Sequence, residues 1–464
     1  MSKYQRLSLL AFVLSAFSMA LFKASGWTLA YGFRLPEPPV IKVVEPTQVT
    51  TQVVTRSKGR RHTQRIKETL PARGHFDTHF ASSQLHVQTH AASMIELSDG
   101  NVRAFWFSGS REGAADVTIN SAIFDVTQKQ WGAEQVVTGR VQTQRDLHRY
   151  IAKVGNPVPM RAPDGSLWLF YVTVSLGGWA GSSISMLTSN DEGATWGAPR
   201  RLVTSPFINI STLVKAPPFL YADGTVGVPV YHEFVSKFAE ALRLDKTGKV
   251  IDKQRLAAGG QGTLQPVVLV RNELDALALT RYAGADSAPR VMSLATTDGG
   301  RHWSKPQKSN MKNPNAALSA LVLPDGKLLA VLNDQEHGRD SLSLQLSADG
   351  GITWRELRRL EEMGGLSQQL ADESACLEVV EDMLQNSDAR LQALAAPQLA
   401  EYVASAKPLV RSASACHFEF SYPYLMQAHN GDIHLLYTWN RVLIKHAVFD
   451  ALWLQQRLSQ ESSQ

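Results

Sequence analysis

Cysteine is scarce in this sequence of 464 residues, which contains only Cys376 and Cys416. Two cysteines are too few for a disulfide scaffold or for a zinc site built on paired CxxC motifs. Phosphate-binding loops, dinucleotide-binding glycine motifs and nucleophile elbows are absent as well. Four histidines lie close together in the sequence without the spacing of a zinc helix or finger: His75, His79, His86 and His90. The sequence therefore predicts no metal and no cofactor.

The body of the chain lacks an excess of positive charge, although the whole sequence carries +5. Residues 1–70 hold 11 Lys and Arg against 3 Asp and Glu, a net charge of +8, so the remainder, with 36 against 39, carries −3. A nucleic-acid-binding domain needs a basic face to neutralise phosphates. Nucleic acid is therefore not an expected partner.

The apolar run at the N-terminus falls short of a membrane span, which needs about 20 residues. Leu7–Phe22 has 16 residues and follows Lys3 and Arg6, a pattern typical of secretory leaders. We expect residues 1–35 to be a signal peptide or membrane anchor, with a buried N-terminal helix as the alternative. The protein would be exported: periplasmic and tethered to the inner membrane by an uncleaved N-terminal helix, or secreted if the leader is cleaved. Residues 36–74 are Pro-, Val- and Thr-rich, then basic, and predict an extended basic linker near the membrane.

An eight-residue pattern, [ST]-x-D-x-G-x-[TH]-W, occurs three times, at residues 189–196, 296–303 and 347–354. The first residues of these copies are separated by 107 and 51 positions, so a unit of about 50 residues fits the blades of a β-propeller. Each copy suits a hairpin turn, in which Asp binds backbone N–H groups and Gly adopts a positive φ. We expect the Trp to cover the turn against the next blade.

Short β-rich segments and Asp-Gly or Asn-Gly pairs support this interpretation. The pairs are Asp99-Gly100, Asp164-Gly165, Asp223-Gly224, Asp325-Gly326 and Asn430-Gly431. Together with the repeated pattern they predict an all-β protein, a six-bladed propeller over residues 75–450 followed by a C-terminal tail, 451–464. The blades are expected near 75–135, 150–205, 210–258, 262–310, 315–362 and 417–450.

Residues 363–416 interrupt the β pattern with a Leu-, Ala-, Glu- and Gln-rich stretch of helical period. We interpret it as a helical insertion between the last two blades. Cys376 and Cys416 bracket most of it, and in an oxidising compartment a disulfide between them would close the insertion. Two unpaired buried thiols are the alternative.

The three repeats resemble the Asp-boxes of the sialidase (neuraminidase) superfamily, specifically bacterial sialidase-like BNR-repeat proteins. The resemblance covers roughly residues 80–450, and it implies the fold more strongly than the chemistry. It implies an exo-glycosidase that hydrolyses a terminal acidic sugar from a glycan or exopolysaccharide. Two alternatives stay open: a non-catalytic glycan-binding propeller, and a propeller polysaccharide lyase in which Tyr422 is the base and His232 assists.

Sialidases bind the substrate carboxylate with three arginines, whose planar guanidinium groups match a carboxylate bidentately. Arg281 and Arg339 match the second and third of these by their position before an Asp-box. At the first position this sequence has His90, which departs from the family. We expect His90 to bind the substrate from this position, and Arg111 is a candidate for the missing cation. Trp179, which lies between glycines, is a candidate for stacking on a sugar ring.

The resemblance also implies a tyrosine nucleophile on the last blade, a glutamate that takes its proton and an aspartate that acts as general acid. Tyr422 is the match for the nucleophile, with Tyr424 as the alternative. Glu233 matches the glutamate, and Glu419 competes with it. Asp116 is our choice for the acid, and Glu112 is the second choice. Further polar residues near predicted strand ends either line the same mouth or serve as turn residues: Asn156, Ser182, Ser183, Asn209, Ser211, Gln265, Asn313, Asn315, Asn333, Asp334, Trp439, Asn440 and Arg441.

Overall fold

Alternating β-rich segments and glycine turns fold into six antiparallel sheets, the blades of a β-propeller, in the computed structural model. The structure describes residues 29–40, 47–57, 60–70, 74–82, 88–205, 209–257, 262–285, 287–363, 373–387, 400–401, 403–404 and 417–461. The glycine of every Asp-Gly or Asn-Gly pair singled out in the sequence has a positive φ, between 79° and 91°. The six-bladed all-β prediction is confirmed.

Each blade is an antiparallel sheet of four or five strands, to which Phe33–Arg34 adds one more in the third blade. The bounds of the strands are as follows. The first blade contains Gln88–Glu96, Val102–Gly109, Thr118–Asp125, Gln130–Trp131 and Gln135–Gly139; the second contains Lys153–Arg161, Leu167–Val174, Ser182–Ser189 and Arg200–Arg201; the third contains Leu213–Val214, Phe219–Tyr221, Val226–His232, Phe238–Leu244 and Val250–Arg255. The fourth contains Thr263–Val270, Ala276–Tyr282, Arg290–Thr296 and Gln307–Lys312; the fifth contains Ser319–Val322, Leu328–Leu332, Ser341–Ser347 and Arg355–Glu362; the sixth contains Phe420–Gln427, Ile433–Trp439, Leu443–Phe449 and Phe76–Phe80.

The ring is closed by a strand from the beginning of the propeller. Phe76–Phe80 pairs antiparallel with Leu443–Phe449, so it forms the outer strand of the sixth blade. The expected first blade at 75–135 is therefore wrong at its start, because the first blade begins at Gln88. This pairing joins the beginning of the propeller to its last blade. No local sequence pattern predicts it.

The Asp-boxes form the turns that their sequence predicts. In the second blade Ser189 Oγ donates to Asp191 Oδ1 at 2.7 Å, and the same oxygen accepts the N–H of Thr195 at 2.9 Å. These hydrogen bonds lower the pKa of Asp191 to about 2. The boxes that begin at Thr296 and Ser347 repeat this pattern.

The Trp of each box packs against the preceding blade, not the next one as the sequence analysis expected. Trp196 makes an edge contact with Phe105 of the first blade, with ring centroids 5.8 Å apart. Trp303 of the fourth blade packs against the cluster of Ala239, Ala241 and Leu256 at the third. The Trp354 N–H of the fifth donates to Asn310 Oδ1 of the fourth at 3.0 Å, and its carbonyl accepts from Asn310 Nδ2 at 2.6 Å. The boxes therefore join consecutive blades into a continuous core.

The described part of the chain also contains helices, which are not part of the blade sheets. They are Arg140–Asp146, a short 3-10 turn at Trp179–Gly181, Glu373–Ser387 and Ala451–Glu461. Glu373–Ser387 belongs to the predicted insertion, and its Cys376 and Val380 are buried in the core shared by the last two blades. Cys376 is disulfide-bonded, while Cys416 lies outside the described residues.

The predicted N-terminal hydrophobic helix lies outside the described residues, because residues 1–28 are not among them. Within the described ranges, no helix has the length and apolar character to cross a membrane. The predicted extended linker contains an antiparallel hairpin, with strands Thr47–Ser57 and Arg60–Leu70.

Residues 29–40, which we term the N-terminal strap, dock on the face of the propeller that carries the Asp-Gly and Asn-Gly turns. Phe33–Arg34 pairs with Phe219–Tyr221 of the third blade, and the Phe33 N–H donates to the Glu273 carbonyl of the fourth at 2.7 Å. The Val40 N–H donates to the carbonyl of His429 on the sixth blade at 2.6 Å. The strap thus links three blades.

We expect Phe33→Ala to lower the free energy of unfolding by about 3–5 kcal/mol, the usual cost of emptying a phenylalanine site in a core. Phe33 is 1% exposed, and its ring stacks on Tyr221 with centroids 5.7 Å apart. Urea denaturation monitored by circular dichroism provides the measurement. Leu35→Ala is the matched control, because Leu35 is 47% exposed and should change stability by less than about 0.5 kcal/mol. Equal stability of both variants would show that the strap is not fixed by Phe33.

Candidate active site

The innermost strands carry a ring of residues in the left-handed backbone conformation. Each blade contributes one such residue, with φ between 47° and 58°: Ala91, Asn156, Ser211, Gln265, Asn315 and Tyr422. Four of them lie at breaks in the strand register, which are bulges that re-aim a side chain. Left-handed backbone is strained for residues other than glycine and is concentrated at functional sites. The ring therefore marks the mouth opposite the strap as the candidate site.

A chain of polar contacts connects four blades across this mouth. Asn156 Nδ2 and Gln265 Nε2 approach the Tyr231 hydroxyl at 3.5 and 3.2 Å. Arg281 Nη1 donates to Gln265 Oε1 at 3.3 Å and lies 3.5 Å from the Tyr422 hydroxyl. The proposed nucleophile and one proposed carboxylate-binding arginine are therefore brought together.

Asn315 connects the two arginines that the sequence singled out. Its Oδ1 accepts from Arg281 Nε at 2.7 Å, and its carbonyl accepts from Arg339 Nη2 at 3.0 Å. Arg339 Nη1 also donates to Glu419 Oε1 at 3.2 Å, and Ser421 Oγ donates to the same carboxylate at 2.6 Å. Glu419 thus orients a guanidinium group and is not free to act as a base.

Arg441 joins this cluster from the turn between the second and third strands of the sixth blade. Its Nε donates to Glu419 Oε2 at 2.6 Å, and its Nη1 donates to Glu112 Oε2 at 3.0 Å. A cavity of about 470 Å³ opens beside these groups and is lined by Arg339, His417, Phe418, Glu419, Asn440 and Arg441. The sequence analysis left Arg441 among the strand-end residues, because nothing local shows that its turn meets the first blade.

His90 does not reach the cavity. It is 2% exposed, and its ring packs against Tyr422 with centroids 4.3 Å apart and edge-on against Phe107 at 5.6 Å. Burial lowers its pKa to about 3, so the ring is neutral near pH 7. His90 therefore supports the Tyr422 ring, and this conformation leaves it no direct contact with a substrate.

Glu233 lies close to Arg281 at the third blade, and its N–H donates to Ser211 Oγ at 2.7 Å. Burial raises the pKa of its carboxyl, and the Arg281 guanidinium opposes this shift. Tyr231 lies within electrostatic reach of both Tyr422 and Glu233. Glu233 and Tyr422 therefore share Arg281 and Tyr231 as neighbours, and a carboxyl with a raised pKa suits a proton acceptor.

The sequence analysis missed Lys215, a buried lysine close to the Tyr422 ring. Its Nζ lies 5.7 Å from the ring centroid of Tyr422 and 5.3 Å from that of Tyr424. Burial lowers its pKa to about 7. Tyr424 itself is 3% exposed and points into the packed interior, so the structure favours Tyr422 over this alternative.

The loop after the second strand of the first blade carries the proposed acid and the proposed additional cation. Asp116 is exposed, and both the N–H and the hydroxyl of Ser110 donate to its carboxylate at 2.9 Å. Burial, the largest single effect, raises the pKa of the Asp116 carboxyl, but the hydrogen bonds from Ser110 and the Arg111 guanidinium together lower it. Arg111 is exposed as well, whereas Glu112 points into the cluster and binds Arg441.

Trp179 packs over the innermost strand of the second blade, where a Cβ on Gly155 would approach the indole to 3.0 Å. Lys153 Nζ lies 5.8 Å from its ring. His232 stacks on Phe238 with centroids 4.6 Å apart, and its Nε2 accepts the N–H of Val235 at 3.3 Å. Across the described part of the chain, no group of His, Cys, Asp and Glu side chains is arranged to hold a metal ion.

Comparisons with known proteins agree with this architecture. Residues 100–435 match the family model of the BNR repeat-like domain. No curated protein matches the sequence at a significant level. A Hadza microbial sialidase has a similar solved structure, with a TM-score of 0.56, 13% identity and coverage of 84% of this chain and 70% of that protein.

Two further solved structures share the fold. The intramolecular trans-sialidase of Ruminococcus gnavus gives a TM-score of 0.53 at 12% identity, over 81% of this chain and 96% of that protein. A protein of unknown function from Dyadobacter fermentans gives 0.55 at 12% identity, over 81% of this chain and 97% of that protein. Identities this low show the fold alone. Because the family model spans more than half of the sequence, this chain belongs to the BNR repeat-like family, within the sialidase-like BNR-repeat superfamily.

Proposed function

We propose that this propeller is a glycoside hydrolase that removes a terminal acidic sugar from a glycan or exopolysaccharide. The observation that carries the proposal is the contact between Arg281 Nη1 and the hydroxyl of Tyr422, which lie 3.5 Å apart. A cation beside a phenol stabilises its anion, and the same guanidinium group can bind a substrate carboxylate. This contact supports Tyr422 as the group that would face the anomeric carbon of a bound acidic sugar.

In the proposed reaction the Tyr422 oxygen forms a bond to the anomeric carbon while the bond to the leaving oxygen breaks. Glu233 takes the phenolic proton, because burial raises its pKa. The leaving oxygen takes a proton from the loop that carries Asp116 and Glu112. Asp116 is the candidate donor, because Glu112 accepts a hydrogen bond from the Arg441 guanidinium, whereas Asp116 accepts its hydrogen bonds from the neutral Ser110. Water then attacks the same carbon and gives a proton to the Asp116 carboxylate, while the bond to the Tyr422 oxygen breaks and Glu233 returns the proton to that oxygen.

A non-catalytic glycan-binding propeller is the second candidate, and one observation favours it. Neither Asp116 nor Glu112 has a raised pKa, whereas a general acid needs to retain its proton near neutral pH. The lyase alternative has less support, because the His232 ring is stacked on Phe238 and accepts a backbone hydrogen bond.

The proposed function is tested with a fluorinated substrate analogue that forms a long-lived covalent adduct with the nucleophile. A 2,3-difluoro sialic acid loses fluoride on attack, and the second fluorine slows release of the adduct. Hydrolysis of a fluorogenic α-sialoside should be inhibited, and intact-mass and peptide spectra should locate one added sugar on Phe420–Gln427. An adduct on another residue would reassign the nucleophile. Retention of acidic glycans on an array, with neither turnover nor adduct over a broad panel of acidic glycosides, would support the binding protein instead.

A further inference from the structure

The turn that carries Arg441 has an unusual backbone. Asn440 and Arg441 are its two central residues, with φ of 49° and 57°, and the Val442 N–H donates to the Trp439 carbonyl at 3.1 Å. Two-residue hairpin turns with both φ values positive favour glycine at the second position. An arginine there is strained, and such strain persists where the side chain has a use.

The side chains of this turn offer hydrogen-bond donors to the cavity. Arg441 and Arg339 are each 24% exposed, so a ligand can reach both. One N–H of Arg441 Nη1 donates to Glu112, and one N–H of Nη2 donates to Glu419. Among the described residues, the second N–H of each of these nitrogens has no partner. Asn440 is 2% exposed, lines the cavity, and its Nδ2 has no hydrogen-bond partner among the described residues.

The turn also lies beside the position at which the sequence analysis expected an arginine. The Thr89 N–H donates to the Arg441 carbonyl at 2.6 Å, so the turn runs next to His90. His90 is buried and turned toward Tyr422 and cannot supply a donor to the cavity.

We propose that Arg441 and Asn440 join Arg339 and Arg281 in binding the acidic group of the substrate, so that the last blade supplies the guanidinium group that the first blade lacks. This inference rests on the proposed function. Within the cluster, Glu112 and Glu419 balance the charges of the two arginines. The site therefore recognises its ligand through spare N–H donors and not through a large excess of positive charge, which favours a singly charged carboxylate over a dianionic phosphate.

The experiment compares calorimetric binding of N-acetylneuraminic acid and its methyl ester, in which a neutral methyl ester replaces the charged carboxylate. Wild-type protein should bind the acid at least 10-fold more tightly than the ester. Arg441→Gln should weaken binding of the acid roughly 10- to 100-fold and leave binding of the ester unchanged. Arg441→Lys keeps the positive charge but lacks the planar guanidinium group. Its affinity for the acid should therefore lie between those of the wild type and of Arg441→Gln.

Arg161→Gln is the matched control, because Arg161 forms a two-bond ion pair with Glu192 on the opposite face. It should bind both probes as the wild type does. Equal affinity of the wild type for acid and ester, or equal losses for both probes in Arg441→Gln and Arg441→Lys, would overturn the inference. Selective binding of the acid without hydrolysis of any sialoside would contradict the proposed function while leaving this site intact.

Discussion

Tyr422→Phe should reduce turnover of an acidic glycoside by roughly 10³-fold or more, with little change in binding. The substitution removes only the hydroxyl that lies 3.5 Å from Arg281. The ring contacts with His90 and Lys215 persist, because phenylalanine retains the same ring. Steady-state hydrolysis of a fluorogenic α-sialoside gives the kinetic constants, and calorimetric titration with N-acetylneuraminic acid gives the affinity.

Tyr424→Phe is the matched control, since it makes the same chemical change two residues along the same strand. Tyr424 packs inside the blade, so its variant should hydrolyse the substrate at nearly the wild-type rate. If Tyr424→Phe is the inactive variant, the nucleophile has been assigned to the wrong residue. If both variants keep wild-type turnover, no tyrosine on this strand is the nucleophile.

The architecture is predictable from the sequence because its signals are local. Each Asp-box folds through hydrogen bonds between residues two to four positions apart, as Ser189, Asp191 and Thr195 show. Each Asp-Gly pair likewise encodes its own hairpin. A repeat of such self-contained units at a spacing of about 50 residues predicts blades before any long-range contact is known.

The contacts that complete the site and the ring are not local. The hydrogen bond between Thr89 and Arg441 joins residues more than 350 positions apart, and the pairing of Phe76–Phe80 with Leu443–Phe449 closes the ring over a similar separation. No periodicity or motif encodes such contacts. The sequence analysis therefore treated His90 as a substrate ligand and placed Arg441 among possible turn residues, whereas in the structure His90 is buried and Arg441 reaches the cavity.

Acid should destabilise this propeller strongly because it buries neutral histidines. Burial lowers the pKa of His90 and of His434 to about 3, and that of His446 well below its usual value. His434 and His446 form a stacked, hydrogen-bonded pair, with Nδ1 and Nε2 3.0 Å apart, and His446 lies edge-on against Phe124 and Trp131 of the first blade. Protonation would therefore place charge in the seam where the ring closes.

The sign follows from the direction of these shifts. A histidine with a folded-state pKa below the unfolded value of about 6.5 contributes stability above that value, and the contribution is lost as the pH falls toward the folded pKa. At pH 5 each such histidine has lost about 2 kcal/mol of its contribution to the free energy of unfolding. Four buried carboxyls with raised pKa act in the opposite direction: Glu96, Glu233, Glu240 and Asp432. The three histidines together lower the free energy of unfolding by about 6 kcal/mol between pH 7.5 and pH 5, and the carboxyls offset part of this, so we expect a net loss of stability over this range.

Urea denaturation at pH 7.5, 6 and 5 measures this loss, and a double variant shows where it originates. His434→Leu combined with His446→Leu removes two of the three titrating groups, so its stability should fall by less than half as much over the same range. The variant changes side chains far from the Tyr422 hydroxyl, and its turnover at pH 7.5 serves as the check that the ring has closed correctly. A pH dependence as steep as that of the wild type would show that other groups control the acid response. A flat wild-type profile between pH 7.5 and 5 would show that these histidines become protonated without opening the seam.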